Sequence, residues 1–254
     1  MGKLTVLKSK SGVTAIAVDA AWNNPKTIDL TAVLEPCSKA FADRSVAIWS
    51  VARSFVTKAC ASLSLIERSL GSPESEAKLG AMGLKNLKLA KSAFELFWGP
   101  LTVLSCAEVK ERMGYLKAAF LDDFTVRLIT PQPVGKTSKA SVLVKHKASK
   151  PGADDYIHRI KFFELLVSSG RFDDSGINSM AGTLVHEMSH LVLATSDHAY
   201  GAKKASELSD AEKLTNADNY KYYCELFQYR DLKIGFEALN KSTPDLAHEP
   251  PEGT

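Results

Sequence analysis

The sequence predicts a mainly α fold with a small β element. Apolar residues return every three or four positions over 28–69, 74–98, 105–120 and 207–239. Strand-like alternation is confined to the N-terminal stretch and to 124–150. A third observation bounds the class: no apolar run reaches the roughly 18 residues of a membrane-spanning helix. At 254 residues, 45% hydrophobic and 24% charged, the chain is long enough for one large core with a small appendage.

The elements follow in order. Leu4, Val6, Val13, Ala15 and Ala17 alternate loosely and suggest an early strand pair around Ser11-Gly12, so residues 1–27 read as an N-terminal β-like extension. Residues 28–69 carry Leu30, Val33, Leu34, Cys37, Phe41, Ile48, Trp49, Ala52, Phe55, Val56 and Leu63 at helical spacing. They form one or two amphipathic helices with a weak interruption at Asp43-Arg44-Ser45. Gly71 to Glu74 is a turn, with Ser72 or Ser75 as cap, and the next helical pattern ends before Gly99-Pro100. Another runs from Ser105 to Phe120. Val126, Leu128 and Ile129, then Val142 to Val144, are strand-like, with a basic rim from Lys136 to Lys150. Ile157 to Val167 is a strand or a helix start. A helix covers Ile177 to Leu193, and one or two more cover Glu207 to Leu239, their stripe of Tyr220, Tyr223, Phe227 and Phe236 facing the core. Residues 28–241 thus form a single domain. The tail 242–254, with three prolines and several acids, reads as flexible, which discounts His248 as a ligand.

Charge and cysteines narrow the class. A net charge of +3 is too small to imply nucleic acid, and no aromatic residues interleave with the basic run. Cys37, Cys60, Cys106 and Cys224 show no C-x-x-C pair, and free thiols are the favoured reading. The N-terminus is charged but has no uninterrupted apolar core of a signal peptide.

The residues that carry chemistry lie at His186-Glu187-Met188-Ser189-His190, inside the apolar run Gly182 to Leu193. Residues four apart stack on one helix face, so His186 and His190 can offer two imidazole nitrogens to one Zn²⁺. Glu187 lies about 100° round the helix, clear of that pair but able to hold a water at the open position of the metal. A catalytic zinc wants a third protein ligand. Asp197 and His198 follow the helix exit and both are competent, with Glu207 and Glu212 as more distant candidates. Tyr200 follows within reach and can donate to a developing oxyanion.

These residues resemble the aspzincin metallopeptidases, the deuterolysin and peptidyl-Lys metalloendopeptidase group. That family has H-E-x-x-H followed by G-T-x-D-x-x-Y-G, here Ala194-Thr195-Ser196-Asp197-His198-Ala199-Tyr200-Gly201. A third element, Asn216-Ala217-Asp218-Asn219-Tyr220, resembles the family's N-A-D-x-Y segment. The resemblance implies a zincin-like fold whose active-site helix carries H-E-x-x-H. It also implies zinc held by His186, His190 and Asp197, a catalytic Glu187 and a transition-state Tyr200. Two departures stand out. Ala194 replaces the first glycine, a change that a slightly different turn absorbs. Lys221 occupies the position of a glutamate that, with the aspartate matching Asp218, lines the lysine-binding pocket of the lysine-specific branch. Asp218, Lys221 and His198 are therefore candidate pocket residues; Lys221 argues against strict lysine preference, and Asp218 either lines the pocket or pins its helix.

The implied function is a zinc-dependent endopeptidase acting on a protein or peptide substrate, with no nucleic-acid partner and no membrane insertion. Alternatives are a hydrolase of peptidoglycan peptides acting as a toxin effector, and a non-catalytic protein in which zinc staples the fold. Because aspzincins are generally secreted, the missing leader points to one removed from the sequence or to a signal-peptide-independent route out of the producing cell after synthesis in its cytoplasm.

Overall fold

The computed structural model describes residues 3–8, 14–19, 39–72, 74–121, 127–129, 140–142, 147–153, 159–162, 173 and 175–242. The proposed boundaries at 27 and 28, the helical pattern over 28–38, Cys37 and the tail from 243 lie outside these residues.

Two strands, β1 (Lys3–Lys8) and β2 (Thr14–Asp19), form the antiparallel pair expected at the N-terminus, in register from Lys3↔Asp19 to Lys8↔Thr14. They do not stand apart. Strand β2 pairs antiparallel with β3 (Arg127–Ile129), which runs parallel to β5 (Arg159–Phe162), and β4 (Ala140–Ser141) closes the edge antiparallel to β5. The sheet order is β1-β2-β3-β5-β4. Residues 159–162 are thus a strand, resolving the strand-or-helix alternative at 157–167.

Helix α1 (Lys39–Gly71) runs unbroken through Asp43-Arg44-Ser45, where a break was expected. A polar step one turn long costs little when the apolar stripe that follows it is packed, and Ile48, Ala52, Phe55, Val56, Ala59, Leu63 and Ile66 are all buried. The 74–98 pattern is instead two helices, α2 (Glu74–Ala77) and α3 (Ala81–Trp98), divided at Gly80. Gly99, at φ 85°, ends α3 and donates its N–H to Glu95 O. Helix α4 (Val103–Leu121) opens on a reciprocal pair of contacts: Thr102 N–H donates to Ser105 Oγ, and Ser105 N–H to Thr102 Oγ1.

Beyond these lies α5 (Met180–Leu193), three residues shorter at its start than expected. Asn178 takes the left-handed conformation at φ 62°, and Ser179 caps the helix by accepting from Gly182 N–H at 3.0 Å. The one or two helices expected over 207–239 are four: α6 (Ala202–Glu207), α7 (Asp210–Thr215), α8 (Ala217–Leu226) and α9 (Leu232–Lys241). The divisions follow local chemistry. Ser209 and Glu212 form a capping box, Asn216 is extended between α7 and α8, and Asp231 caps α9.

The core is built by α1 on α4 and α5, and by α5 on α8, with β4 and β5 beside α5. All fourteen residues of α5 are buried. A helix buried on every side must satisfy each polar group it carries, which makes the partners of His186, Glu187, Ser189 and His190 the decisive contacts. Tyr220, Tyr223 and Phe227 are core residues as expected, with Phe236 packed partly against them. Among the described residues no helix is long and apolar enough to cross a membrane. Cys60, Cys106 and Cys224 are free thiols, Cys60 and Cys106 pushed up to about 11 chiefly by burial.

Candidate metal centre

One turn of α5 brings His186 and His190 together, and the chain then leaves the helix through Ala194, at φ 54° and ψ 30°. That left-handed residue reverses the chain so that Asp197 returns over the histidine pair. Ala194 thus takes the left-handed conformation at this turn and bears its conformational cost.

Three ligand atoms converge. His186 Nε2 and His190 Nε2 are 3.1 Å apart, and each is 3.1 Å from Asp197 Oδ1. Among the described residues this is the one cluster of three histidine, cysteine or carboxylate groups able to hold an ion. A tetrahedral zinc with bonds near 2.0 Å has ligand-to-ligand edges of about 3.3 Å, so the triangle fits. The tautomers fit as well. His186 Nδ1–H donates to Asp218 Oδ1 at 2.7 Å, and His190 Nδ1–H donates to the Thr195 carbonyl at 2.8 Å. Both Nε2 atoms then present lone pairs to the same point as a carboxylate oxygen. Three electron-rich atoms at that spacing repel one another unless a proton or a cation lies among them, and Asp197 Oδ1 has no hydrogen-bond donor among the described residues. The donor set is that of zinc.

Electrostatics express the same demand. Burial opposes a charge on His186, but Asp197 and Asp218 outweigh it and raise the imidazole to about 10. Burial acts against the Asp197 carboxylate too, yet the two imidazoles hold it well below the usual carboxylate range. Glu187 is buried beside them and its acid is raised, by burial first, with His186 and His190 opposing. Its Oε2 meets no partner among the described residues. Tyr200 lies with its ring nearly parallel to that of His186, centroids 6.3 Å apart. Burial and the Asp197 carboxylate push its phenol well above the usual range, so it stays a donor.

The loop that carries Asp197 and Tyr200 is tied to the start of α8. Ser196 N–H donates to Thr215 O and Ala217 N–H to Ser196 O, a parallel bridge between Ser196 and Asn216. Asn216 Oδ1 accepts from the N–H groups of His198 and Ala199, and Asp218 Oδ2 from Gly201 N–H at 2.7 Å.

The structure places two of the candidate pocket residues in the interior. Asp218 is 0% exposed, and its two oxygens serve His186 and Gly201, so it pins a ligand and the loop. Lys221 is also 0% exposed; its ammonium lies over the Tyr222 ring at 4.7 Å, within α8 and away from any open wall. His198 is exposed and pairs with Thr215 Oγ1, outside the ligand triangle, which leaves Asp197 as the third ligand. Glu207 and Glu212 lie off the triangle; Glu212 belongs to its capping box.

Sequence reasoning named Thr195 and Asn216 as motif residues without a role, and did not single out Ser179 and Glu225. Glu225 is buried against the N-terminus of α5: its Oε1 accepts from Ser179 N–H and Oγ–H, and Oε2 from Asn178 N–H. Its acid is raised to about 7 by burial, with Lys221 and these donors opposing. The signal was available in the acid of α8 facing a serine cap.

Comparison with known proteins agrees with this geometry. Residues 134–225 match the family model of the aspzincins, described as lysine-specific metallo-endopeptidase. Over 56 residues the chain is 43% identical to a peptidyl-Lys metalloendopeptidase of Armillaria mellea, and 46% identical to an extracellular protease of Aeromonas hydrophila. Each match covers 20% of this chain and only 16% of the relative's own length. A zinc peptidase from Grifola frondosa shares the fold, with TM-score 0.53 and 19% identity over 75% of this chain and 97% of that one. Residues 134–225, which hold the histidine pair, the returning aspartate and its buried support, are thus similar to the aspzincin family.

Proposed function

We propose that the chain is a zinc-dependent endopeptidase that hydrolyses peptide bonds in protein or peptide substrates. One observation carries this reading: a buried carboxylate, Glu187, stands beside the three-ligand triangle with an oxygen that no described group engages. A zinc that only stapled the fold would need neither that carboxylate nor a phenol held above its usual range.

His186, His190 and Asp197 would hold the ion. When bound, zinc supplies Lewis acidity, polarising a carbonyl and lowering the pKa of a water. Glu187 takes the proton of the attacking water at Oε2 and returns it to the leaving amine nitrogen. Burial, by raising its acid, makes it a better proton acceptor than an exposed glutamate. Tyr200 donates its hydroxyl proton in a hydrogen bond to the oxyanion of the attacked carbonyl. Asp218 and the Thr195 carbonyl fix the two imidazole rings in the tautomer that zinc requires. Action outside the producing cell is part of the proposal; fractionating a producing culture and assaying the medium tests it.

The test of the chemistry is a pair of variants assayed on an unstructured protein. Glu187→Gln keeps about one zinc per chain and loses turnover by orders of magnitude, because an amide cannot carry the proton. Asp197→Ala loses the zinc. Near-normal turnover in Glu187→Gln, or undiminished zinc affinity in Asp197→Ala, removes this function.

A further inference from the structure

The centre has a cation beside it, Lys147, that makes one hydrogen bond among the described residues. Lys147 opens a segment that crosses the end of α5, where Ala148 N–H and Gly152 N–H donate to Leu191 O and Val192 O at 2.8 and 3.0 Å. The Lys147 ammonium donates to the Thr195 carbonyl at 2.8 Å, the same oxygen that fixes His190. An ammonium has three N–H donors, and Thr195 takes one. Burial lowers the pKa of this half-buried group, and the charges of Asp197 and Glu187 act against that. Among the described residues, no carboxylate is paired with it.

The acids of the site are occupied elsewhere. Asp218 is buried with both oxygens engaged, and Glu225 is buried under the N-terminus of α5. Asp197 is committed to the histidine pair and Glu187 to proton transfer. These four acids are thus committed to the centre or its support, whereas an acidic side chain of a substrate meets an ammonium that makes one hydrogen bond among the described residues.

We propose that Lys147 is a specificity-determining residue that binds a substrate carboxylate close to the scissile bond, so that the preferred substrate is an acidic peptide. This rests on the endopeptidase reading. If Lys147 serves only to cap the carbonyl at the end of α5, substrate charge has no bearing on its role, and that difference decides the experiment.

Cleavage sites are mapped by mass spectrometry in a mixed peptide library with the zinc-loaded native protein. Three matched peptides carrying Glu, Gln or Lys beside the cleaved bond are then compared in native protein, Lys147→Arg, Lys147→Gln and Lys147→Glu. The native protein enriches Asp and Glu next to the cleaved bond. Its kcat/KM for the Glu peptide exceeds that for the Gln peptide by about tenfold, the worth of one charge-assisted hydrogen bond, and this ratio shrinks with added salt. Lys147→Arg keeps the ratio, Lys147→Gln brings it near one, and Lys147→Glu turns the preference toward the Lys peptide. Cleavage without acidic enrichment, or a Glu-to-Gln ratio unmoved in Lys147→Gln and Lys147→Glu, overturns the role of Lys147 and leaves the endopeptidase standing. Absence of any zinc-dependent cleavage in the native protein removes both.

Discussion

Gly182 sits in the first turn of α5, where helix propensity alone says that alanine is better by about 1 kcal/mol. The structure predicts the opposite outcome. A Cβ at residue 182 would lie 1.8 Å from Glu225 Oε1 and 2.5 Å from Glu225 Cδ. Ordinary contact begins near 3.4 Å, so the carboxyl group must retreat by about 1.5 Å, or α5 and α8 must part by a similar distance. Either movement breaks the contacts that Glu225 makes with Ser179 N–H and Oγ at 2.9 Å and with Asn178 N–H at 3.1 Å. Losing three bonds to a buried carboxyl group costs on the order of 3–5 kcal/mol, since the donors stay buried. Subtracting the helical gain leaves Gly182→Ala destabilised by about 2–4 kcal/mol.

Urea unfolding of the metal-free protein checks this, with a lowered midpoint and an unchanged slope as the expected result. The cause is identified by a double-mutant cycle. Once Glu225→Ala has removed the obstructing carboxyl group, Gly182→Ala should cost nothing further. The same variant reports on function. His186 is on α5 and Asp218 on α8, so parting the helices lengthens their 2.7 Å contact and weakens zinc binding. A Gly182→Ala protein as stable as the native one, or a penalty that survives in the Glu225→Ala background, refutes the reasoning.

Asp218→Asn should weaken zinc about tenfold to a hundredfold with the fold intact, because the amide loses the charge facing His186 and turns a donor toward Gly201 N–H; chelator competition measures it. Ala194→Gly should raise stability by about 1 kcal/mol, since residue 194 stands at φ 54°, and an unchanged unfolding midpoint would contradict the strain. Glu225 gives a pH dependence. Its acid is raised from 4.5 to about 7 in the folded chain, so between those values the folded state holds the extra proton. Its contribution to stability is therefore full below about 4.5 and falls by about 3 kcal/mol as pH rises through 7. Subtracting the pH profile of metal-free Glu225→Gln from that of the metal-free native protein isolates this slope, and a flat difference would contradict it.

The parts of the site legible in the sequence are those fixed by local spacing. Four residues on a helix place His186 beside His190 whatever the surroundings, and the family pattern fixes Asp197 over His198. What packing decides was less visible. Asp218 lies 32 residues from His186, and its partners follow from how α8 docks on α5. Lys221 was read as a pocket cation from its place in the family pattern, whereas its side chain is buried in α8. The warning was in its neighbours: Tyr220, Tyr222, Tyr223, Cys224 and Leu226 surround it with apolar bulk, and all ten residues of α8 are buried. The division of 207–239 was legible from Ser209-x-x-Glu212, a capping box that begins a new helix inside the periodic stretch. Lys147 carried no signal apart from belonging to a basic run, since its place at the centre depends on a segment crossing the end of α5.

The two ends of α5 explain why this helix can carry a reactive centre in the core. At the N-terminus, Ser179 and Glu225 take up donors that would otherwise be orphaned. At the C-terminus, the N–H groups of Ala148 and Gly152 and the Lys147 ammonium take up carbonyls at and just beyond its last turn. With both ends fixed, the backbone that carries the side chains of the middle turn is tied down at each side of the centre. The fixing has an energetic consequence. Two imidazole nitrogens and a carboxylate oxygen are held 3.1 Å apart. In the metal-free protein a proton on His186 relieves part of that repulsion, which is why its imidazole is raised to about 10 despite burial. Zinc must displace that proton, so its affinity is lower where the proton is held more tightly. The scaffold that positions the ligands thus also sets the competition between proton and metal, and Asp218 acts on both sides of it: it favours the charged imidazole in the absence of zinc and the correctly oriented neutral one in its presence.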